Sequence, residues 1–187
     1  MNRGLFLDRD GVVSELVYYP SHGEWESARD VADLRMRPGA SDALKEAVAK
    51  GWLVFLVTNQ PSYAKGKCSL ECLQRVHEQI LDTLRGEGVV VTDAFVCYHH
   101  PQSMIADFGA CQCRKPSPHF ILEAARRYDV DLQRSWMAGD QATDIETGRR
   151  AGCRTALIKY VHSENKRGEV EADLVCADLS ELVRKID

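Results

Sequence analysis

The sequence predicts an α/β protein with a mostly parallel sheet and helices on both faces. Short apolar runs of strand length alternate along the chain with segments whose apolar residues recur at helical spacing. Several of those runs end at once in acidic, hydroxyl or amide side chains, at Asp8, Thr58 and Asp140. In a parallel sheet the carboxyl ends of the strands face the ligand crevice, so these side chains would be delivered to one place.

The elements follow in order. Leu5-Phe6-Leu7 reads as a buried strand that runs out into the turn Asp8-Arg9-Asp10-Gly11. On an extended backbone positions i and i+2 share a side, so Asp8 and Asp10 are expected to face one pocket. Two carboxylates that close repel unless a cation lies between them or one stays protonated. Val12 to Pro38 shows no sustained period. With Tyr18-Tyr19-Pro20 and Trp25 it is expected to form a small flap over the site. Gly39 to Lys50 is a helix with Leu44, Ala47 and Val48 on one face, stopped by Gly51, and Trp52 to Val57 is a second buried strand. Leu70 to Arg85 is helical, striped by Leu73, Val76, Ile80 and Leu84 and closed by Gly86 and Gly88. Ala94 to Cys97 is a third strand, Pro118 to Tyr128 a helix, and Trp136 to Ala138 a fourth strand. Thr143 with Glu146 reads as a capping box opening a helix that Gly152 ends. Thr155 to Ile158 is a fifth strand, and Leu174-Val175 with Ser180 to Ile186 closes the fold.

A chain of 187 residues suits one domain with a full-sized core, so residues 1–187 are expected to fold as a unit, without repeats. The net charge of −4 supplies no basic face for nucleic acid. The longest apolar run, Trp52 to Val57, is far too short to cross a bilayer, and no leader-like segment opens the chain. A soluble, cytoplasmic, monomeric protein is the expectation. In that setting seven cysteines point to metal or free thiols rather than to disulfides.

The cysteines cluster. Cys97-Tyr98-His99 and Cys111-Gln112-Cys113 give C-x-H, a spacer of eleven residues, then C-x-C. Three thiolates and an imidazole make a closed tetrahedral Zn²⁺ set of the structural kind, with no open position to activate water. The ion would pin the loop 97–113 and fix the backbone before Arg114-Lys115-Pro116. A planar guanidinium suits a phosphate fork, and an ammonium suits a point contact to a carboxylate or phosphoryl oxygen. Thr58 and Asn59 can donate to an anion, although Thr-Asn at a strand end is also ordinary turn chemistry. Asp8, Asp140, a backbone carbonyl and waters would suit octahedral Mg²⁺.

Asp8-x-Asp10, Thr58-Asn59, Lys115 and Gly139-Asp140-x-x-x-Asp144 stand in the order of the four motifs of the haloacid dehalogenase superfamily of phosphohydrolases, which the chain resembles over nearly its whole length. The zinc loop joined to Arg114-Lys115-Pro116 resembles the branch that holds heptose bisphosphate phosphatases and histidinol phosphatases. The length of the spacer, and the passage from Thr58-Asn59-Gln60 into Ala64-Lys65-Gly66, resemble the heptose enzymes more closely. The chain departs from them at Gln141, where a cation often follows the motif acid, and in a longer segment from Ser14 to Arg37.

The resemblance implies a Rossmann-like fold and a Mg²⁺-dependent sugar phosphate phosphatase, acting on the 7-phosphate of D-glycero-D-manno-heptose 1,7-bisphosphate. It makes Asp8 the nucleophile, Asp10 the general acid and base, and Thr58 and Lys115 the stabilisers of the transferring group. Mg²⁺ would be held by Asp8, Asp10 and Asp140, with Asp144 as a ligand or as the support of one. Asn59, Gln60, Arg114 and Lys115, with Tyr18 and Tyr19 of the flap, are the substrate-contact candidates. Histidinol phosphate is the alternative substrate. A phosphate-accepting receiver domain and a zinc interaction module are the non-enzyme alternatives. A receiver carries its phosphorylated acid mid-chain, without a second acid two residues on, and a zinc module leaves Asp8, Asp10, Thr58 and Asp140 unexplained.

Overall fold

The computed structural model describes residues 1–186. Among the described residues there are eight strands: β1 (Arg3–Leu7), β2 (Val17–Tyr19), β3 (Glu24–Glu26), β4 (Trp52–Asn59), β5 (Asp93–Cys97), β6 (Trp136–Gly139), β7 (Arg154–Ile158) and β8 (Leu174–Cys176). Five α-helices accompany them: α1 (Ala40–Ala49), α2 (Leu70–Gly86), α3 (His119–Tyr128), α4 (Ala142–Ala151) and α5 (Leu179–Lys185). Six strands form one parallel sheet in the order β5-β4-β1-β6-β7-β8. Strand β1 lies in the middle, and the chain builds outward from it in both directions. The ligand crevice of such a sheet opens at the carboxyl ends of the central strands, and those are β4, β1 and β6.

The side-chain period of two explains how one strand serves two layers. Leu5 and Leu7 of β1, with Trp52, Val54 and Leu56 of β4, pack against Leu44 of α1, Ile80 and Leu84 of α2, and Leu182 and Val183 of α5. Phe6, Phe55 and Val57 face the other way, onto Ile121 and Ala124 of α3 and Ala151 of α4. The Phe6 and Phe55 rings stack across the strand pair with centroids 4.8 Å apart. Burial on both faces is why these strands read as unbroken apolar runs. No helix among the described residues is long and apolar enough to cross a membrane.

The expected flap is real but more ordered than its sequence suggested. Strands β2 and β3 form an antiparallel hairpin, followed by the 3₁₀ turn Val31–Asp33. A correction concerns α4. Its cap is Gln141, and the Gln141 N–H donates to Asp144 Oδ2 at 3.0 Å, so the capping box joins Gln141 to Asp144 rather than Thr143 to Glu146. The helix starts earlier because an acid in its third position can reach back to the orphan N–H of the cap.

Candidate active site

Each acid arrives at the crevice by a local rule. Asp8 follows directly from β1 and Asp140 from β6, and Asp144 comes up on the first turn of α4. Two glycines make the convergence possible. A Cβ at Gly11, where φ is +85°, would lie 2.3 Å from Asp140 Oδ2. A Cβ at Gly139 would lie 2.2 Å from Asp144 Cγ. Without side chains there, the three acids close to within 4.8 Å of one another through their oxygens, all buried.

Lys115 enters this cluster from the loop after the cysteine pairs. Its Nζ lies 2.9 Å from Asp8 Oδ1 and 2.7 Å from Asp144 Oδ1, and the residue is 3% exposed. Asn59 holds it there. The Asn59 amide donates to the Lys115 carbonyl at 3.2 Å, and its Oδ1 accepts from the Lys115 N–H at 3.1 Å. The end of β4 is thereby tied to the lysine loop, which gives Asn59 a positioning role that its turn chemistry did not disclose.

Three buried carboxylates facing one ammonium leave two negative charges uncompensated. Burial pushes Asp8 up to about 6, against the pull of Lys115 and with Asp144 and Asp10 adding repulsion. Burial, then Asp8 and Asp144, push Asp140 up to about 8. Neither oxygen of Asp140 has a hydrogen-bond partner among the described residues. Orphaned, mutually repelling buried oxygens are what a hard divalent cation resolves, and the donor set fits Mg²⁺.

Asp10 is placed differently. It lines the same cavity as Asp8, but its carboxylate is not part of the three-acid cluster. It accepts from Arg9 Nε at 3.1 Å, Ser14 Oγ at 3.0 Å and Gln60 Nε2 at 2.6 Å, and the Arg9 guanidinium forms an ion pair with it at 3.0 Å. The expected side-chain ligand role of Asp10 is therefore corrected: the acids that converge are Asp8, Asp140 and Asp144. Arg9, fully buried, is a site residue that the motifs did not point to. The available signal was its place between two acids at the end of a buried strand, where a charge must find a partner.

Gln60 donates to Thr58 Oγ1 at 2.8 Å as well as to Asp10, and it is 1% exposed. It orients those two groups from behind and does not line the cavity, so its expected substrate contact is corrected. Tyr18 and Tyr19 are not cavity residues either. The Tyr19 hydroxyl donates to Asp33 at 2.8 Å and accepts from the Arg29 N–H, with the Arg29 guanidinium over its ring, while Tyr18 packs on Trp25 at the flap surface. Both are spent on the flap's own structure.

The cavity holds about 240 Å³. Its inner wall is Asp8, Asp10, Thr58 and Lys115, all buried, and its outer wall includes Glu26, Ser27, Lys65, Arg114, Gln141 and Lys166. Arg114 is tethered through Nη1 to the His99 carbonyl at 3.0 Å. Hydrogen bonds from Arg29 and Lys67 pull Glu26 down to about 2 against the upward push of burial.

Cys97, His99, Cys111 and Cys113 converge beside this wall. Their sulfurs lie 3.4–3.6 Å apart and the His99 Nδ1 lies 3.8–3.9 Å from two of them. Tetrahedral Zn²⁺ with bonds of about 2.0–2.3 Å has edges of roughly 3.4–3.8 Å, so the group fits the ion. His100 and His119 stay outside it.

Comparison with known proteins agrees with the geometry. The HAD-hydrolase-like family model matches residues 112–182. The chain is 36% identical to a D-glycero-beta-D-manno-heptose-1,7-bisphosphate 7-phosphatase of Rhodopseudomonas palustris, over 79% of this chain and 78% of that protein. It is 31% identical to the Yersinia pestis enzyme of the same name, over 97% and 94%. The crystal structure of a D,D-heptose 1,7-bisphosphate phosphatase from B. bronchiseptica, complexed with magnesium and phosphate, superposes with a TM-score of 0.80 at 30% identity, over 98% of this chain and 97% of that one. With its four motif segments gathered at one sheet edge, the chain belongs to the haloacid dehalogenase-like phosphatases, in the family that holds the heptose bisphosphate phosphatases, and it is a phosphoric monoester hydrolase.

Proposed function

We propose that the protein removes the 7-phosphate of D-glycero-D-manno-heptose 1,7-bisphosphate, with Asp8 as nucleophile. The observation that carries this is one cavity with two kinds of charge. Its buried inner end holds Asp8 and Lys115, with Asp140 and Asp144 clustered against them, and its outer end holds Lys65, Arg114 and Lys166. A substrate with a reacting phosphate at one end and a second anion at the other matches that order. Single phosphomonoesters such as histidinol phosphate leave the outer cations without use.

In this reading an Asp8 carboxylate oxygen attacks phosphorus and the bond from phosphorus to the sugar oxygen breaks. Asp10 gives the departing oxygen a proton, then takes one from the water that releases phosphate and regenerates Asp8. Such proton transfer contributes about 10²–10⁴-fold. Lys115 and Thr58 face the charge on the transferring oxygens. Asn59 and Gln60 hold those groups in line. Asp8 and Asp140, supported by Asp144, would hold Mg²⁺, which would supply the charge that the cluster lacks. Cys97, His99, Cys111 and Cys113 would hold Zn²⁺, which would fix the loop that carries Arg114 and Lys115. The enzyme is read as a single-domain monomer, and its unpaired cysteines support a cytoplasmic setting.

A substrate panel tests the reading. Phosphate release is followed for both anomers of the heptose bisphosphate, histidinol phosphate and simple hexose phosphates. A bisphosphate should lead by at least about tenfold in kcat/KM, the value of one charged contact. A lead for histidinol phosphate would reverse the assignment.

A further inference from the structure

The outer wall contains one cation that no motif accounts for. Lys166 ends the 3₁₀ helix Val161–Lys166, which follows β7. That helix is fastened to the flap. The His162 ring stacks on Trp25 with centroids 3.4 Å apart and planes 12° apart. The Tyr160 hydroxyl bonds to Glu15 and accepts from the Leu16 N–H at 3.3 Å. Lys166 Nζ donates to the Trp25 carbonyl at 3.2 Å. Flap and helix therefore form a continuous wall, and Lys166 reaches the cavity from it beside Glu26 and Ser27.

The charges on this wall are unequal in their freedom. Glu26 is already matched by Arg29 and Lys67. Lys65, Arg114 and Lys166 come from three separate segments, line the same cavity, and none of them forms an ion pair among the described residues. Lys166 uses one ammonium hydrogen on the Trp25 carbonyl, which leaves two for another acceptor. A neutral carbonyl leaves the positive charge itself unmatched.

We propose that Lys166 is a specificity-determining residue that, with Lys65 and Arg114, holds the phosphate that is not transferred. This rests on the bisphosphate reading above. The Trp25–His162 stack is what aims the lysine, so the flap contributes to recognition by placing a residue of another element.

The test compares the wild-type enzyme, Lys166→Met and Lys166→Arg, each on the heptose 1,7-bisphosphate and on the heptose 7-phosphate. The quantity read is the ratio of kcat/KM for the bisphosphate to that for the monophosphate. Lys166→Met should lower that ratio roughly ten- to thirtyfold, mostly through KM for the bisphosphate. Lys166→Arg should keep most of it, since the charge stays. A role confined to anchoring the flap would slow both substrates together and leave the ratio unchanged. An unchanged ratio in Lys166→Met, or an equal fall in Lys166→Arg, overturns the proposal alone. A wild-type enzyme with no preference for the bisphosphate overturns the functional reading and this inference with it.

Discussion

Replacing Lys115 with methionine keeps the length and apolar stem of the side chain and removes its charge. In the metal-free protein this leaves Asp8, Asp140 and Asp144 buried with no cation among them. Removing one partner of a buried ion pair costs about 3–5 kcal/mol, because the remaining charge stays desolvated. For a chain of this size each kcal/mol moves Tm by about 2–4 °C, so Tm should fall by roughly 6–20 °C. Saturating Mg²⁺ should recover a large part, since it supplies the missing positive charge. Activity should not recover with it. In the proposed mechanism the ammonium faces the transferring phosphoryl group, and losing one such stabiliser costs about 10²–10³-fold in kcat. Thermal unfolding with and without Mg²⁺, beside phosphate release on an aryl phosphate, measures both. A variant as stable as the parent without metal, and active within threefold of it, would refute the buried-cluster argument.

Asp8→Asn should abolish turnover while the fold is kept, because the amide is nearly isosteric but a poor nucleophile; phosphate release within tenfold of the parent would remove Asp8 from that role. The second expectation concerns pH. Asp8 and Asp140 have folded values raised above the ordinary 3.8, to about 6 and about 8, so their contribution to metal-free stability is present below about pH 4 and is lost as pH rises through those values. Mg²⁺ binds the ionised acids, so the Tm gain it gives should grow from pH 5 to pH 8, and a gain independent of pH would contradict this. Zn²⁺ should co-purify at about one per chain and its removal by a strong chelator should lower Tm. Metal-free preparations with Cys97, Cys111 and Cys113 freely reactive to thiol reagents would remove it.

The layers of this fold were legible because burial on both sheet faces leaves unbroken apolar runs such as Trp52 to Val57, and glycines mark the ends of the helices. The cluster was legible for a related reason. Polar residues that end a buried strand have nowhere to go but the crevice, and that rule alone brings Asp8, Thr58 and Asp140 together. The flap was not legible. Its hairpin has strands of three residues, too short to show a period, and it is held by distant partners: Lys67, His162 and Lys166. Tyr18 and Tyr19 misled for that reason, since aromatic side chains near a site can serve the flap itself. Gln60 misled because adjacency to Thr58-Asn59 says nothing of which way a side chain turns at the end of a strand. Arg9 was hidden between the two acids that drew attention, although it is the residue that fixes one of them.

The measurement that bears most directly on the whole account is ³¹P NMR of the heptose 1,7-bisphosphate incubated with the enzyme and Mg²⁺. The account predicts loss of the C7 phosphate resonance, growth of inorganic phosphate and an intact anomeric phosphate, held by Arg114 and its neighbours while Asp8 attacks the other end. Loss of the anomeric phosphate, or a spectrum unchanged while simpler phosphate esters are consumed, would contradict it.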